Sequence, residues 1–157
     1  MVQLDVPLLG KPVWKTGDML LRAELDLLLK DKSGGWQRET FRVDSGTEMT
    51  TMPAALARSL DLSMPGDAVP GGLLILGLRR EVRSGLLRVQ VPGLDATEYT
   101  FPCYFVGDPQ EAFDPNRPPM LPCSLLGLTG VVDQLRFIFD GTRSAGFPHG
   151  FFRVEAR

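Results

Sequence analysis

Apolar residues along this chain recur mostly at a spacing of two. From Leu21 to Leu29, the residues Leu21, Ala23, Leu25, Leu27 and Leu29 alternate with Arg22, Glu24, Asp26 and Leu28, the period of a strand with one buried face. Spacing alone also admits a helix through these leucines. Ser33-Gly34-Gly35, however, is a turn signal, and a second extended run follows from Trp36 to Val43 with Phe41 and Val43 on one side. The pattern predicts a hairpin that leads directly into Asp44.

After Asp44 the period changes. Pro53 can open a helix, and Ala54, Ala55, Leu56, Ala57 and Leu60 are helix formers up to Asp61-Leu62. Ser63-Met64-Pro65-Gly66-Asp67 ends that pattern. Strand-like runs then appear around Leu73–Leu78 and Leu86–Val91, separated by the charged stretch from Arg79 to Arg83, and again at Thr100–Val106. The segment 107–122 holds Pro109, Pro115, Pro118, Pro119 and Pro122, which excludes a helix or an inner strand and predicts a long surface loop. Beyond it a short helix is expected from Thr129 to Leu135, then a strand carrying Leu135, Phe137 and Phe139. A last strand is expected at Phe151–Val154, after the Asp140-Gly141 turn. The result is an all-β, barrel-like domain with one or two short helices and no internal repeat.

Composition narrows the chemistry. The 157 residues fit one domain with a core, and 43% hydrophobic with 23% charged residues is the balance of a globular protein. A formal charge of −2 with scattered Lys and Arg offers no basic surface for nucleic acid or anionic lipid. No stretch has the length of a membrane span or the form of a signal peptide, so the expectation is a cytoplasmic protein. Cys103 and Cys123 read as reduced thiols, Cys103 and Cys123 being the whole cysteine content. His149 is the only histidine, which removes the material for a Cys/His metal centre or a Ser-His-Asp triad. No metal or cofactor is implied, and any chemistry falls to carboxylates, thiols or hydroxyls.

One segment fits that requirement. Phe41-Arg42-Val43-Asp44-Ser45-Gly46-Thr47-Glu48-Met49-Thr50 puts a carboxylate at the end of an apolar strand, followed by a small hydroxyl and a glycine. The carboxylate can activate water, Ser45 can fix the loop by hydrogen bonding, and Gly46 allows close backbone approach. Asp followed by Ser or Thr and Gly is expected in roughly one chain in fifteen of this length. Alone, the triplet reads as a turn closed by an Asx hydrogen bond.

Its surroundings add information. Val43-Asp44-Ser45-Gly46-Thr47, then Met49-Thr50-Thr51-Met52-Pro53 and a short helix, resembles the retropepsin-like aspartic proteases. Ser124-Leu125-Leu126-Gly127-Leu128 resembles that family's second element, two apolar residues and a glycine, in the same order and at the usual separation. The likeness covers roughly residues 15–142 and is nearest to the bacterial-type and DNA-damage-inducible-protein-type members. It implies a closed acid-protease barrel and an endopeptidase whose catalytic loop is Asp44, Ser45 and Gly46. Thr47, Glu48, Leu126, Gly127 and a flap glycine would bind the peptide or protein substrate.

Two carboxylates a few ångströms apart do not both ionise cheaply, so one stays protonated to polarise the scissile carbonyl while the other takes a proton from water. Asp61-Leu-Ser, Asp95-Ala-Thr, Asp133-Gln-Leu and Asp140-Gly-Thr all fail the loop pattern, so the second Asp must come from another chain. The resemblance therefore implies a homodimer, with Ser45 bonding across the two-fold axis and the terminal segments Val2–Pro7 and Phe151–Val154 as interface candidates. For the flap tip, Pro70-Gly71-Gly72 has a flexible composition, whereas Gly77 in Leu76-Gly77-Leu78 lies nearer the place found in longer members. The chain departs from the family where relatives carry a charged pair after Leu126-Gly127, because Leu128-Thr129 stands there and leaves Glu48 without its brace. That departure motivates an alternative, a non-catalytic dimerisation or peptide-binding module. A cysteine hydrolase built on Cys103 or Cys123 is a third and more remote reading.

Overall fold

The computed structural model describes residues 2–64, 66–75, 77–110 and 123–157, and statements of absence below refer to these. Most of the expected Pro-rich loop, 111–122, lies outside the described residues.

The first hairpin forms where the alternation places it. Strands β1 (Gln3–Pro7), β2 (Leu9–Pro12) and β3 (Met19–Arg22) precede β4 (Glu24–Lys30), which pairs antiparallel with β5 (Trp36–Val43) from Glu24 opposite Arg42 to Lys30 opposite Trp36. Leu25, Leu27, Leu29 and Phe41 are buried, as a one-faced strand pair requires. The expected strand from Leu21 is shorter than its pattern. Leu21 belongs to β3, pairs with Gly10 and is 52% exposed, so the buried alternation begins at Ala23.

The chain continues through β6 (Thr50–Pro53), α1 (Ala54–Ser59), β7 (Leu73–Ile75), β8 (Leu78–Arg80), β9 (Val82–Gln90) and β10 (Tyr99–Val106). It ends with β11 (Ser124–Leu126), β12 (Leu135–Asp140) and β13 (Phe151–Ala156). The charged run read as a separator is instead divided between β8 and β9. Six strands close a barrel in the order β10, β6, β11, β5, β4, β9. Strands β1, β13 and β12 form a three-stranded sheet whose Phe152, Val154 and Leu135 join the barrel core of Leu27, Met52, Phe101, Phe105 and Leu126.

Helix α1 buries Ala54 and Ala57 and stops in a tight left-handed turn. Asp61 has φ of 54°, while the N–H groups of Asp61 and Leu62 donate to the carbonyls of Arg58 and Ala57. The helix expected from Thr129 to Leu135 does not form. Val132 N–H donates to Leu128 C=O and Leu135 N–H to Val131 C=O, but Gly130 has φ of +71°, which breaks the segment into consecutive turns. Among the described residues no helix is long and apolar enough to cross a membrane.

Candidate active site at the Asp44 loop

Strand order creates the site. β11 lies between β5 and β6, parallel to the first and antiparallel to the second, with Leu126 opposite Val43 and Leu125 opposite Thr51. The residues joining β5 to β6, from Asp44 to Met49, must therefore pass over the end of β11. They cross it at Gly127.

The crossing is tight. A Cβ on Gly127 would lie 2.4 Å from the carbonyl carbon of Met49 and 2.7 Å from the nitrogen of Thr50, so only glycine fits. Main-chain hydrogen bonds fasten the layers. Asp44 N–H donates to Leu126 C=O at 3.1 Å, Leu128 N–H to Glu48 C=O at 2.9 Å, and Thr129 N–H to Glu48 C=O at 2.8 Å. Gly127 N–H donates to the hydroxyl of the fully buried Thr50 at 3.2 Å. Leu128 and Thr129 thus brace the loop through their backbones where relatives were expected to use charged side chains. Among the described residues the Glu48 side chain has no ion pair or hydrogen bond.

The Asp44 carboxylate is half-buried and oriented on both oxygens. Oδ1 accepts from Gly46 N–H at 2.9 Å and Oδ2 from the Thr47 hydroxyl at 2.9 Å. These bonds hold the group at the strand end while leaving acceptor capacity for water. Ser45 and Gly46 are exposed beside it. Ser45 lines a groove of about 360 Å³ whose other walls include Val43, Leu126, Leu128, Phe137 and Phe139. A larger hollow of about 450 Å³, lined by Asp5, Glu24, Asp26 and Arg38, contains no residue of this loop.

Leu126 is 1% exposed and belongs to the core, where it floors that groove. Its neighbour Leu125 faces the other way, into a small cluster with Val69, Leu73, Val82, Tyr104 and Val106. That cluster seats the β7–β8 hairpin against β11. Ile75 pairs with Leu78, and Gly77 precedes Leu78 with φ of +79°, exposed and with open space where a Cβ would be. The structure therefore joins Asp44, Ser45, Gly46, Thr47, Glu48, Leu126 and Gly127 into one constellation, and Gly77 stands apart at a hairpin tip. Thr50 was not foreseen. Its only signal is a hydroxyl residue at the start of a short strand, and Thr51 beside it carries the same group.

The thiols have a different environment. Cys103 and Cys123 are not bonded to each other, and burial pushes the Cys103 thiol far above its usual range. The half-buried Cys123 thiol is raised as well, chiefly by desolvation. The imidazole of His149 packs against Gly10, with Nε2 2.6 Å from where a Cβ would stand. A thiolate–imidazole pair is thus not assembled among these residues.

No family model matches this chain, and no curated protein matches it. Among solved structures it is similar to the crystal structure of a retropepsin-like aspartic protease from Rickettsia conorii, at 12% identity and a TM-score of 0.44, over 85% of this chain and 92% of that one.

Proposed function

We propose that this chain is an aspartic endopeptidase that works as a homodimer, with one Asp44 from each copy sharing a water. The observation that carries the reading is the Asp44 carboxylate itself, fixed at a strand end by Gly46 N–H and the Thr47 hydroxyl over a crossing that only Gly127 permits. Such rigidity suits a group that must present one oxygen to a water and the other to its symmetry mate. With two copies facing, one carboxyl stays protonated and donates to the scissile carbonyl, while the other accepts the proton of the attacking water. The open apolar groove beside Ser45 is where the partner's loop docks, and an extended peptide runs between the loop and the β7–β8 hairpin.

Asp44→Asn tests this. In the homodimer the variant loses hydrolysis of unstructured peptides at every pH from acid to neutral, while its circular dichroism and its mass in solution match the parent. Parent-level hydrolysis by the variant would refute the mechanism. A second reading, a peptide-binding module without turnover, is favoured by the Glu48 side chain, which has no partner among the described residues, and by the missing charged brace at Leu128-Thr129. It predicts that the parent binds such peptides and leaves them intact at all of these pH values.

A further inference from the structure

The β2–β3 hairpin is used by neither the barrel nor the Asp44 loop. Its strands pair only with each other, and an isolated two-stranded ribbon is marginal in water. Both of its faces carry exposed apolar side chains, one of them interleaved with Lys11 and Arg22. Leu9 stands opposite Arg22 and Lys11 opposite Leu20, whereas Gly10 stands opposite Leu21 and Pro12 opposite Met19. Leu9 and Leu20 therefore share one face, and Met19 and Leu21 share the other. These four side chains are 45–52% exposed, and Trp14 in the connecting loop is 92% exposed.

The hairpin is rooted beside the candidate site. Val43 N–H donates to Ala23 C=O at 2.9 Å, one residue past β3, and Leu8 N–H donates to Gly150 C=O at 3.0 Å, one residue before β2. Gly150 in turn packs on the carbonyl of Asp140, next to Phe139, which is 53% exposed and lines the Ser45 groove. Leu8, Gly150, Asp140 and Phe139 thus lead from the hairpin to the groove along one margin of the molecule.

We infer that this margin is covered by a second copy of the chain, the hairpin acting as an arm that clasps the partner's barrel. The inference rests on the homodimer reading and adds to it. Area favours this occupant. Spread over both faces of the arm and its connecting loop, Trp14 and the four half-exposed side chains present on the order of 500 Å² of apolar surface, which a partner covers by embracing the arm. That is more than half of the about 800 Å² that one partner contributes to a standard interface. The exposed groove residues Leu128, Val132 and Phe139 supply much of the remainder.

The experiment is sedimentation equilibrium of the full chain over a dilution series, for the parent, a Leu20→Glu/Leu21→Glu variant and a Phe139→Asp variant. Because the hairpin contributes nothing to the barrel core, the double variant keeps the parent's circular dichroism, and its dimer dissociation constant rises at least tenfold. In a Trp36→Phe background, Trp14 emission moves to the blue as the chain is concentrated, which reads the clasp without altering the arm. If Phe139→Asp is monomeric while the double variant dimerises as tightly as the parent, the clasp is refuted and the homodimer stands. A parent that stays monomeric at all concentrations overturns both. Trp14 emission that shifts only on adding phosphatidylglycerol vesicles assigns the arm to lipid and also overturns the clasp. If Asp44→Asn keeps full hydrolysis while the double variant dissociates, the clasp stands and the catalytic reading falls.

Discussion

Replacing Gly127 by Ala adds one methyl group at the point where the Asp44 loop crosses β11. Gly127 does not have a positive φ, so the cost is contact and not backbone conformation. The new Cβ would lie 2.4 and 2.6 Å from the Met49 carbonyl carbon and oxygen and 2.7 Å from Thr50 nitrogen, all of them backbone atoms. Bringing these to ordinary separation requires loop and strand to part by about 1 Å. Overpacking of this kind costs about 1–3 kcal/mol, and losing one of the crossing hydrogen bonds adds about 1 kcal/mol. The expected loss is about 3 kcal/mol, a large share of the 5–15 kcal/mol typical of a domain. Because Asp44 rides on the same crossing, the proposed function implies that a displacement of about 1 Å lowers peptidase turnover by about a hundredfold. Urea unfolding gives the first quantity, and, on the proposed function, peptide cleavage at protein concentrations that saturate the proposed dimer gives the second. Hydrogen exchange at the Leu128 and Thr129 amides reports the crossing directly. Gly141→Ala is the control, because nothing lies within 4 Å of a Cβ there. If Gly127→Ala unfolds within 0.5 kcal/mol of Gly141→Ala and those amides keep their protection, the crossing does not hold the site as described.

Other consequences follow from the same structure. Thr50→Val leaves the buried Gly127 N–H without its acceptor, which should cost about 1–3 kcal/mol in urea unfolding, and Thr50→Ser should restore most of it together with the pH profile of cleavage. Asp31 is held down to about 2 by the Ser33 hydroxyl, the Gln37 carboxamide and the Gly35 and Ser33 amides, against an unfolded value of 3.8. Its contribution is therefore present above 3.8 and is lost as pH falls toward 2, so Asp31→Ala should melt below the parent at neutral pH and converge with it in acid. Asp61→Gly relieves the left-handed C-cap of α1 and should raise the melting temperature by about 2–4 °C, corresponding to about 1 kcal/mol; an unchanged or lower melting temperature would mean that the exposed Lys32–Asp61 ion pair outweighs the backbone strain.

Local pattern carried a large part of the fold. Leu25, Leu27, Leu29 and Phe41 announce β4 and β5 because a strand buried on one face repeats its apolar residues every second position. The alanines behind Pro53 announce α1 for an equally local reason. Where a single backbone angle decides, the pattern misled: the apolar spacing from Thr129 to Leu135 suits a helix, yet Gly130 turns left-handed and the segment becomes turns. The β2–β3 hairpin left no alternating signal, since both of its faces carry exposed leucines and no buried side exists to impose one.

By itself the sequence determined that Asp44-Ser45-Gly46 follows an extended run with Phe41 and Val43 on one side, that no second such loop exists in the chain, and that Leu125-Leu126-Gly127 follows far downstream. These are properties of composition and order. Only the tertiary structure decided that β11 threads between β5 and β6, because strand neighbours separated by some eighty residues are chosen by core packing and hydrogen-bond closure, not by local preference. That insertion carries Gly127 beneath the Asp44 loop, turns Leu126 inward and Leu125 outward, and makes Thr50 the latch of the crossing.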